Sequence, residues 1–443
     1  MNRLREDWEH LTLFSPQMFL PEGDSLSSEF PKISSTKDLR VLSLFSGCGG
    51  MDLGFDGDFE VLAQSFGGAS SQRKVVRVPS TRFKLVFAND IMNDAKTAWS
   101  NYFIRKGYSP DLYHLESIIS LVRRHQMGEE VFPQNIDVVI GGFPCQDFSL
   151  SGKRKGFKSE KDHLGNHTLD SATEESRGML YYWMKRVIEI VRPKIFVAEN
   201  VRGLVNLENV KDIIQKDFSL ADNEGYIVLP PKILHAADYG VPQSRERVFF
   251  IGIKKSALTP VILKELLSSD VIPDKLLPYP KPTHKYTPTS EGLLPPVNLR
   301  EVFADLEEPE NSSDKSQQQY SKAKYMGGHC QGQKEISLDR IAPTIRSEHH
   351  GNIEFRRLSE SNGGIMTDEL ALGMRERRLT PRECALIQTF PPDYDFVLSG
   401  SSGRKRYDLS PSAAYKIIGN AVPPLLAYHI AKRLEDLWET YFH

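Results

Sequence analysis

The stretch LFSGCGGMDLGF, residues 44–55, lies where a predicted strand, Arg40 to Phe45, runs into a predicted helix. Glycines at such a junction let the backbone turn sharply and approach a ligand at the carboxyl end of a parallel sheet. On its own, a glycine-rich turn could equally hold a dinucleotide phosphate or be a tight structural turn. Asp90, at the end of the next predicted strand, is placed to bind the ribose hydroxyls of any nucleoside cofactor.

Outward from this stretch, short β-branched runs alternate with helical periods. The predicted strands are residues 40–45, 83–89, 136–140, 195–198 and 248–253. Apolar residues from Met179 to Val191 recur at spacings of three and four, which predicts an amphipathic helix that ends before Pro193. The alternation predicts an α/β fold built on a parallel, doubly wound sheet.

The domain organisation follows from the length and from a break in this rhythm. A chain of 443 residues predicts one large domain and a smaller partner. From about Ser256 to Arg378 the alternation fails and Pro, Ser, Lys and Gly dominate, which indicates the second domain. Residues 1–37 read as an extension with a short helix near Trp8 to Leu13. A last helical segment, Ala413 to Leu437, is interrupted by two prolines.

Composition narrows the class of protein without naming a partner. The 40% hydrophobic and 26% charged residues are typical of a globular chain, and the net charge of −2 means that a nucleic-acid partner would be bound by local basic clusters. The four cysteines form no CxxC pair, so neither a disulfide scaffold nor a zinc site is expected. Without a signal segment or an apolar run of about 18 residues, the sequence predicts a cytoplasmic protein that does not enter a membrane.

Three further segments carry chemistry. GGFPCQDFSLSGKRKG, residues 141–156, places Cys145 just past a strand, in a loop unlike a core environment, although a single cysteine is more often a buried apolar residue. AENV, residues 198–201, puts Glu199 at another strand end, and QSRER, residues 243–247, puts two arginines on an extended segment with their side chains facing one way. Cations lower the pKa of a thiol, and a carboxyl group can hydrogen-bond a ring nitrogen, so the set could act as a nucleophile and acid pair. A structural Glu–Arg ion pair is the alternative.

Six segments in order resemble the motifs of the cytosine-C5 methyltransferases. They are LFSGCGG, PCQDFS, ENV, QSRER, RRLTPRECALIQTFP and IGNAVPPLLA, and the resemblance runs from Val41 to about Leu434. It implies an S-adenosylmethionine-dependent, Rossmann-like catalytic domain, a smaller target-recognition domain, and a final helix that returns to the large domain. The expected divisions are an extension (1–37), a catalytic domain (38–255), a target-recognition domain (256–407) and a returning helix (408–443).

The resemblance also assigns a cofactor pocket for S-adenosylmethionine. The implied pocket residues are Phe45, Ser46, Gly47, Gly49, Gly50, Leu53, Asp90, Ile91, Ser117, Ile118, Pro144, Asn420 and Val422. Asp90 takes the ribose hydroxyls in this assignment, and the last two residues close over the methionine end. One departure concerns the contact to the adenine amino group: where the family often has Gly-Asp-Ile, this chain has Glu116-Ser117-Ile118.

For catalysis, the resemblance implies that Cys145 attacks C6 of a flipped-out cytosine, that Glu199 holds the N3 edge, and that Arg247 holds the O2 side with support from Arg245. The methyl group is transferred to C5 in a specific duplex DNA sequence, and the proton acceptor stays unassigned. The expected DNA contacts are Gln146, Ser149, Gln243 and Thr344. The basic run Lys153, Arg154 and Lys155 could be a solvated surface, but its position after PCQDFS favours phosphate contact. No metal is expected.

The expected partner is double-stranded DNA, with pairing to a restriction endonuclease as a possibility and a monomer as the assembly. An RNA cytosine methyltransferase on the same scaffold is one alternative, although the Cys-Phe-Thr signature of the transfer-RNA branch is missing. A DNA-binding relative without catalysis is another, but Cys145, Glu199 and Arg247 are intact. A nicotinamide oxidoreductase would leave PCQ, ENV and QSRER without a role.

Overall fold

A computed structural model describes residues 37–67, 74–144, 180–206, 209–268, 272–287, 292–347, 353–401 and 406–443. The compact unit that contains the motifs is Asp38–His443. The helix expected near Trp8 lies outside the described residues. None of the helices in the described ranges combines the length and the apolar character that a membrane span requires.

The strands fall close to their predicted positions. In chain order they are β1 (Leu39–Leu44), β2 (Gly57–Leu62), β3 (Val75–Ser80), β4 (Phe83–Asp90), β5 (Tyr113–Leu115), β6 (Val138–Gly142), β7 (Ile195–Val201), β8 (Tyr226–Val228), β9 (Lys232–His235), β10 (Glu246–Lys254), β11 (Phe355–Arg357), β12 (Arg377–Arg378), β13 (Leu398–Ser399) and β14 (Tyr407–Leu409). All five strands predicted from the sequence are confirmed.

The helices are longest around the sheet and at the carboxyl end of the chain. They are α1 (Gly50–Asp56), α2 (Asn93–Phe103), α3 (Ile118–Gln126), α4 (Leu180–Val191), α5 (Val210–Ser219), α6 (Pro260–Ser268), α7 (Leu299–Val302), α8 (Lys315–Gln318), α9 (Thr367–Ala371), α10 (Pro381–Ile387), α11 (Pro411–Asn420) and α12 (Pro424–Phe442). The predicted interruption of the last helical segment by prolines is confirmed, because α12 begins at Pro424 after a short break.

The central sheet has the strand order β5-β4-β1-β6-β7-β10-β8, and β9 also pairs with β10. The pairs from β5 through β7 are parallel, as predicted. The expectation of a wholly parallel sheet is wrong for β10, which runs antiparallel to β7, β8 and β9. The reason is the short connection from β9 to β10, since a parallel connection needs a long crossover. The start of β10 therefore lies at the same rim as the end of β7.

Two apolar layers cover the two faces of the sheet. Alternate residues of β1 point to opposite layers: Val41 packs with Leu53, Trp99 and residues of α12, whereas Leu42 packs with residues of α3, α4 and α5, including Met184. This arrangement of helices on both faces confirms the doubly wound α/β fold.

The returning helix α12 packs closely on α1. A Cβ atom at Gly54 would lie 2.4 Å from the Cβ of Ala427 and 2.5 Å from the carbonyl oxygen of Pro424, so only glycine permits this approach. The packing brings the segment between α11 and α12 against the glycine-rich loop that follows β1.

Buried ion pairs hold together the part of the chain that the sequence assigned to the second domain. Arg357 and Arg377 are almost fully buried, and both contact Glu308, while Arg377 also pairs with Glu383 at 2.9 Å. Burial opposes ionisation of Glu308, but the two guanidinium groups outweigh it and lower its pKa to about 2. These charges are thus partners in one network. The domain boundaries themselves stay a prediction.

Candidate active site

The loop after β1 turns sharply at the carboxyl end of the sheet. Gly47 and Gly49 have φ angles of 54° and 80°, and Phe45, although not a glycine, has a φ of 53°. A left-handed backbone at a non-glycine residue costs roughly 1–2 kcal/mol and is found where function requires the conformation. A Cβ atom at Gly49 would lie 2.6 Å from the ring of Phe103, so the loop depends on glycine here.

Asp90 lies at the end of β4 beside this loop. Its Oδ2 accepts a hydrogen bond from the Gly47 amide at 3.0 Å, and its Oδ1 accepts one from the Met92 amide at 2.9 Å. The Ile91 amide also hydrogen-bonds this carboxylate, and a carboxylate has about four acceptor positions, so one is left for a hydroxyl group. The adjoining Ile91 exposes 48% of its surface, an apolar side chain available to a flat ring. A Cβ atom at Gly47 would meet nothing within 4 Å. These features fit the ribose and base of S-adenosylmethionine.

Hydrogen bonds join the expected cofactor residues into one cluster. Ser46 Oγ accepts a hydrogen bond from the Asn89 amide at 3.1 Å, and the Asn89 side chain donates to the Glu116 carbonyl at 2.7 Å. Ser117 begins α3 as its N-cap, accepting from the Ile119 amide at 3.3 Å. Where the family often has aspartate, this serine is therefore engaged in capping its own helix.

Two residues assigned to the pocket lie in the core instead. Leu53 is 0% exposed and Ile118 is 2% exposed, each within an apolar layer. Direct side-chain contact with a cofactor is wrong for both, because α1 and α3 turn these positions toward the sheet. They support the pocket by packing.

The segment between α11 and α12 closes the pocket from the other side. A Cβ atom at Gly50 would lie 2.2 Å from the Val422 carbonyl oxygen. Gly50 and Val422, both expected pocket residues, are therefore in close contact. Asn420 is exposed, whereas Val422 is buried. Gly419 packs equally closely on the backbone of Arg346.

A buried acid and a cation meet at the rim formed by β7 and β10. The Oε1 atom of Glu199 lies 2.8 Å from the Nε of Arg247, and both side chains are nearly buried. Burial raises the pKa of Glu199, while the charges of Arg247 and Arg245 oppose the shift. A carboxyl group with a raised pKa holds or shares a proton more readily than a free one, as the expected contact with a ring nitrogen requires.

Gly142, which has no side chain, leaves the space that the carboxyl group of Glu199 occupies. The two residues are direct partners between β6 and β7, and a Cβ atom at Gly142 would lie 2.7 Å from the Oε2 of Glu199. Sequence reasoning did not select Gly142 as a site residue. The available signal was its position at the end of the strand that leads to Cys145.

The neighbouring Asn200 connects this rim to Phe143, at the end of the described segment that precedes Cys145 in sequence. It is buried, and its side-chain nitrogen donates to the carbonyl of Phe143 at 3.0 Å. The described chain continues to the half-buried Pro144, the residue before Cys145. The expected site residues that follow Pro144 on this loop lie outside the described ranges. They are Cys145, Gln146, Ser149, Lys153, Arg154 and Lys155.

Arg245 does not share the direction of Arg247. Its buried guanidinium donates to the carbonyl oxygens of Ile345, Gly419 and Ala421 at 2.8–3.1 Å. The expectation that the two arginines face one way is wrong, because Arg245 lies just before β10 begins and turns toward α11. Its guanidinium joins the QSRER segment to the segment that closes the cofactor pocket. We therefore correct its role from catalysis to positioning.

Gln243 is also a positioning residue. It is 0% exposed, its side-chain oxygen accepts from the Ile345 amide at 3.0 Å, and its nitrogen donates to Gln388 at 2.9 Å. This burial contradicts a direct contact with DNA. Thr344, the other expected contact in this region, is half-buried and donates its hydroxyl to the Ser244 carbonyl. Its contact with the nucleotide backbone stays a prediction.

Two other cysteines, Cys48 and Cys384, do not present a thiolate. Cys48 and Cys384 are buried, and burial raises the pKa of each thiol well above its ordinary range. The thiol of Cys48 lies 3.4 Å from the Ile417 carbonyl and packs the loop against α11. A protonated thiol is a weak nucleophile, so these two are structural residues.

The comparisons with known proteins show the family of this chain. The model of the family "C-5 cytosine-specific DNA methylase" matches residues 39–436. The Type II methyltransferase M.NgoPII of Neisseria gonorrhoeae is 30% identical over 420 residues, which cover 90% of this chain and 96% of that protein. M.BspRI of Lysinibacillus sphaericus, also a Type II methyltransferase, is 32% identical over 422 residues, which cover 91% and 82%.

A solved structure supports the fold independently. The Dnmt2 methyltransferase of S. pombe superposes with a TM-score of 0.52 at 18% identity, and the match covers 90% of this chain and 99% of that one. At this identity the likeness concerns the fold alone. Since the family model spans nearly the whole described unit, the chain belongs to the C-5 cytosine-specific DNA methylases, enzymes that use S-adenosylmethionine as the methyl donor.

Proposed function

We propose that this enzyme methylates C5 of a cytosine that is flipped out of a specific duplex DNA sequence, through a covalent bond between Cys145 and C6. The observation that carries the proposal is the buried Glu199–Arg247 pair at the rim of the sheet. The bond from Asn200 to the Phe143 carbonyl supports it, because it holds the segment that leads to Cys145 beside that pair.

The chemistry gives each residue a task. Cytosine C5 is a poor nucleophile, but addition of the Cys145 thiolate to C6 forms an S–C6 bond and moves electron density to C5. Glu199, whose pKa is raised by burial, supplies or shares a proton at N3 and so stabilises the adduct. S-adenosylmethionine, when bound, supplies an electrophilic methyl group on a sulfonium sulfur.

The later steps restore the aromatic ring. The Phe45–Gly50 loop and Asp90 would hold S-adenosylmethionine so that C5 could take its methyl group, and the methyl–sulfur bond would break with its electron pair left on sulfur. Loss of the C5 proton to water or hydroxide then expels the thiolate from C6, and the N3 proton returns to Glu199. Arg247 donates through Nε to Glu199 and through Nη1 to the Glu246 carbonyl, and a guanidinium has five N–H donors, so others can bind the cytosine O2.

The target carbon is inaccessible within stacked DNA, so the base must leave the helix at a cost of a few kcal/mol. The similarity to M.NgoPII and M.BspRI, which are Type II methyltransferases, supports a protective role. We therefore place the enzyme in a restriction-modification system, in which its methylation blocks a cognate endonuclease.

A direct experiment is to incubate the enzyme with S-adenosylmethionine and unmethylated plasmid and to map 5-methylcytosine at base resolution. We expect one short sequence to be methylated, Cys145→Ser to be inactive, and Cys330→Ser, a change at a half-buried cysteine, to remain active. A transfer-RNA pool serves as the competing substrate. Methylated RNA with untouched plasmid would refute the DNA proposal, and activity in Cys145→Ser would refute the covalent mechanism.

A further inference from the structure

A buried carboxyl group that the reaction above does not use lies behind the cofactor loop. Asp52, in the first turn of α1, is 0% exposed. Ser43 donates a hydrogen bond to its Oδ1 at 2.5 Å, and the indole nitrogen of Trp99 donates to its Oδ2 at 2.8 Å. Burial of a charge is costly unless it is compensated, so its retention here needs a reason.

The hydrogen bonds of Asp52 continue to the pocket. The hydroxyl of Ser46 donates to the hydroxyl oxygen of Ser43 at 2.8 Å and accepts from the Asn89 amide at 3.1 Å. Asn89 in turn holds the carbonyl oxygens of His114 and Glu116. One chain of hydrogen bonds therefore links Asp52 to the ends of β1, β4 and β5, which surround the expected cofactor.

The protonation state of Asp52 determines the direction of this chain. When the carboxyl group is ionised, Ser43 donates to it, and the oxygen of Ser43 is free to accept from Ser46. A proton added to Asp52 falls on Oδ1, since Oδ2 faces the N–H of Trp99. Ser43 must then turn its hydroxyl toward Ser46, and the Ser46 proton must move to another acceptor, such as the Ser43 carbonyl at 3.3 Å. Ser46 thereby loses an acceptor position.

We propose that Asp52 is a positioning residue for S-adenosylmethionine: its carboxylate orients the Ser43–Ser46 hydroxyls behind the Phe45–Gly50 loop, and protonation of Asp52 weakens cofactor binding. The ionised carboxylate also places a negative charge behind a loop that receives a cationic sulfonium. The inference depends on the cofactor and not on the covalent mechanism. A failure of the Cys145 test would leave it unaffected.

Asp52 is one of two carboxyl groups in this cluster whose pKa is raised by burial. Burial raises its pKa to about 6, and the bonds from Ser43 and Trp99 oppose the shift. The other titratable groups around it are Cys48, Asp90, Tyr108, Tyr113 and Tyr394. The thiol and the three phenols have their pKa values raised away from neutrality, again by burial. Asp90, whose pKa burial also raises, is the one carboxyl group among them.

The proposal predicts that Asp52 strengthens cofactor binding but lowers the stability of the fold at neutral pH. An acid whose pKa is higher in the folded state than in the unfolded state binds more protons when folded, so stability falls as the pH rises from about 3.8 to about 6. At neutral pH Asp52 therefore costs stability. Asp52→Asn should bind the cofactor more weakly without a lower melting temperature at pH 7.5, whereas loss of a purely structural residue would lower it.

Calorimetric titration with S-adenosylmethionine between pH 5 and pH 8 tests the proposal. We expect the Kd of the wild-type enzyme to rise about tenfold from pH 7 to pH 5, because about a tenth of Asp52 is ionised one unit below its pKa. In Asp52→Asn the Kd at pH 7 should already be at least about tenfold higher and should change little with pH. Any slope that remains in the variant comes from groups other than Asp52, among them Asp90.

Two controls separate Asp52 from its surroundings. Asp56→Asn removes another buried carboxyl group of α1, one that pairs with Lys84 and Lys106 rather than with the serines, and it should keep the wild-type pH dependence of binding. Fluorescence of Trp99, obtained as the difference between wild type and Trp99→Phe, should titrate with a midpoint near pH 6 and should not do so in Asp52→Asn. Identical Kd values and pH profiles in wild type and Asp52→Asn would overturn the proposal.

Discussion

Glu199 and Arg247 are joined by an ion pair of 2.8 Å although they come from strands that run in opposite directions. In the register of these strands Phe249 lies opposite Glu199, so Arg247, two residues earlier, points to the same face of the sheet. The antiparallel direction of β10 therefore brings the arginine to the rim where the acid ends its strand. A parallel β10 would have placed Arg247 at the opposite edge.

Arg247→Ala should damage both stability and turnover. It leaves the buried carboxyl group of Glu199 without its cation, and loss of one partner of a buried pair costs about 3–5 kcal/mol. The pKa of Glu199 should rise further, because Arg247 is the largest influence that opposes burial. We expect kcat to fall at least about a hundredfold, as for other donors to a developing charge. Urea denaturation and single-turnover methylation measure the two effects.

Arg202→Ala is the matched control. Arg202 pairs with Glu246, which adjoins Arg247 at the start of β10, but this pair is largely exposed to solvent. Exposed pairs contribute about 0–1 kcal/mol. Equal losses of stability in the two variants would contradict the assignment of a buried, functional pair at Glu199.

The sequence was sufficient to place the elements that carry the site. Strand patterns predicted β1, β4, β6, β7 and β10, and ordered motifs predicted that Glu199 and Arg247 meet at one edge. The direction of β10 was not predictable, because the apolar run Val248–Ile253 has the same pattern in a parallel and an antiparallel strand. Only the short connection from β9 decides it.

The direction in which individual side chains point was also not predictable from the sequence. Gln243 and Arg245 are polar residues of the QSRER motif, and their polarity alone suggested that they contact a ligand. The structure turns both inward, where they bind backbone groups of the segments around Ile345 and Gly419. Gly142 was missed for a related reason: its importance lies in its register with Glu199, a relation between two strands that no single segment contains.

Gly142→Ala should reduce catalysis while it preserves the fold. The added Cβ would lie 2.7 Å from the Oε2 of Glu199, which is the end of a flexible side chain and can move. A shift of about 1 Å in a catalytic group can cost about a hundredfold in rate. We expect kcat to fall by that order. The Kd of S-adenosylmethionine should stay unchanged, and a weakened Kd would show a wider distortion of the sheet.

Gln243→Ala tests the correction from DNA contact to positioning residue. The change leaves the Ile345 amide and the Gln388 oxygen without their partner in the core, and such a loss costs about 1–3 kcal/mol. We therefore expect a lower free energy of unfolding in the absence of DNA, measured by urea denaturation. Gln318→Ala, at an exposed glutamine, should change it by less than about 0.5 kcal/mol. Weaker DNA binding with unchanged stability would restore the direct contact.

His429 should make the enzyme sensitive to acid. Its ring Nε2 is buried in α12 among aromatic rings that include those of Phe66 and Tyr239, and burial lowers its pKa to about 4. The folded state thus favours the neutral ring, while the unfolded chain takes up a proton near pH 6.5. Stability is consequently lost as the pH falls from about 6.5 to about 4. Since the residue is partly exposed, we expect a loss of about 1–3 kcal/mol.

His429→Phe should remove this loss, because a phenyl ring suits the aromatic surroundings and takes up no proton. The free energy of unfolding, measured by urea denaturation at half-unit steps from pH 7 to pH 4, should fall less steeply in this variant than in the wild type. His443→Gln changes an exposed histidine at the end of the same helix and should keep the wild-type slope. If His429→Phe kept that slope as well, carboxyl groups elsewhere would have to account for the acid sensitivity.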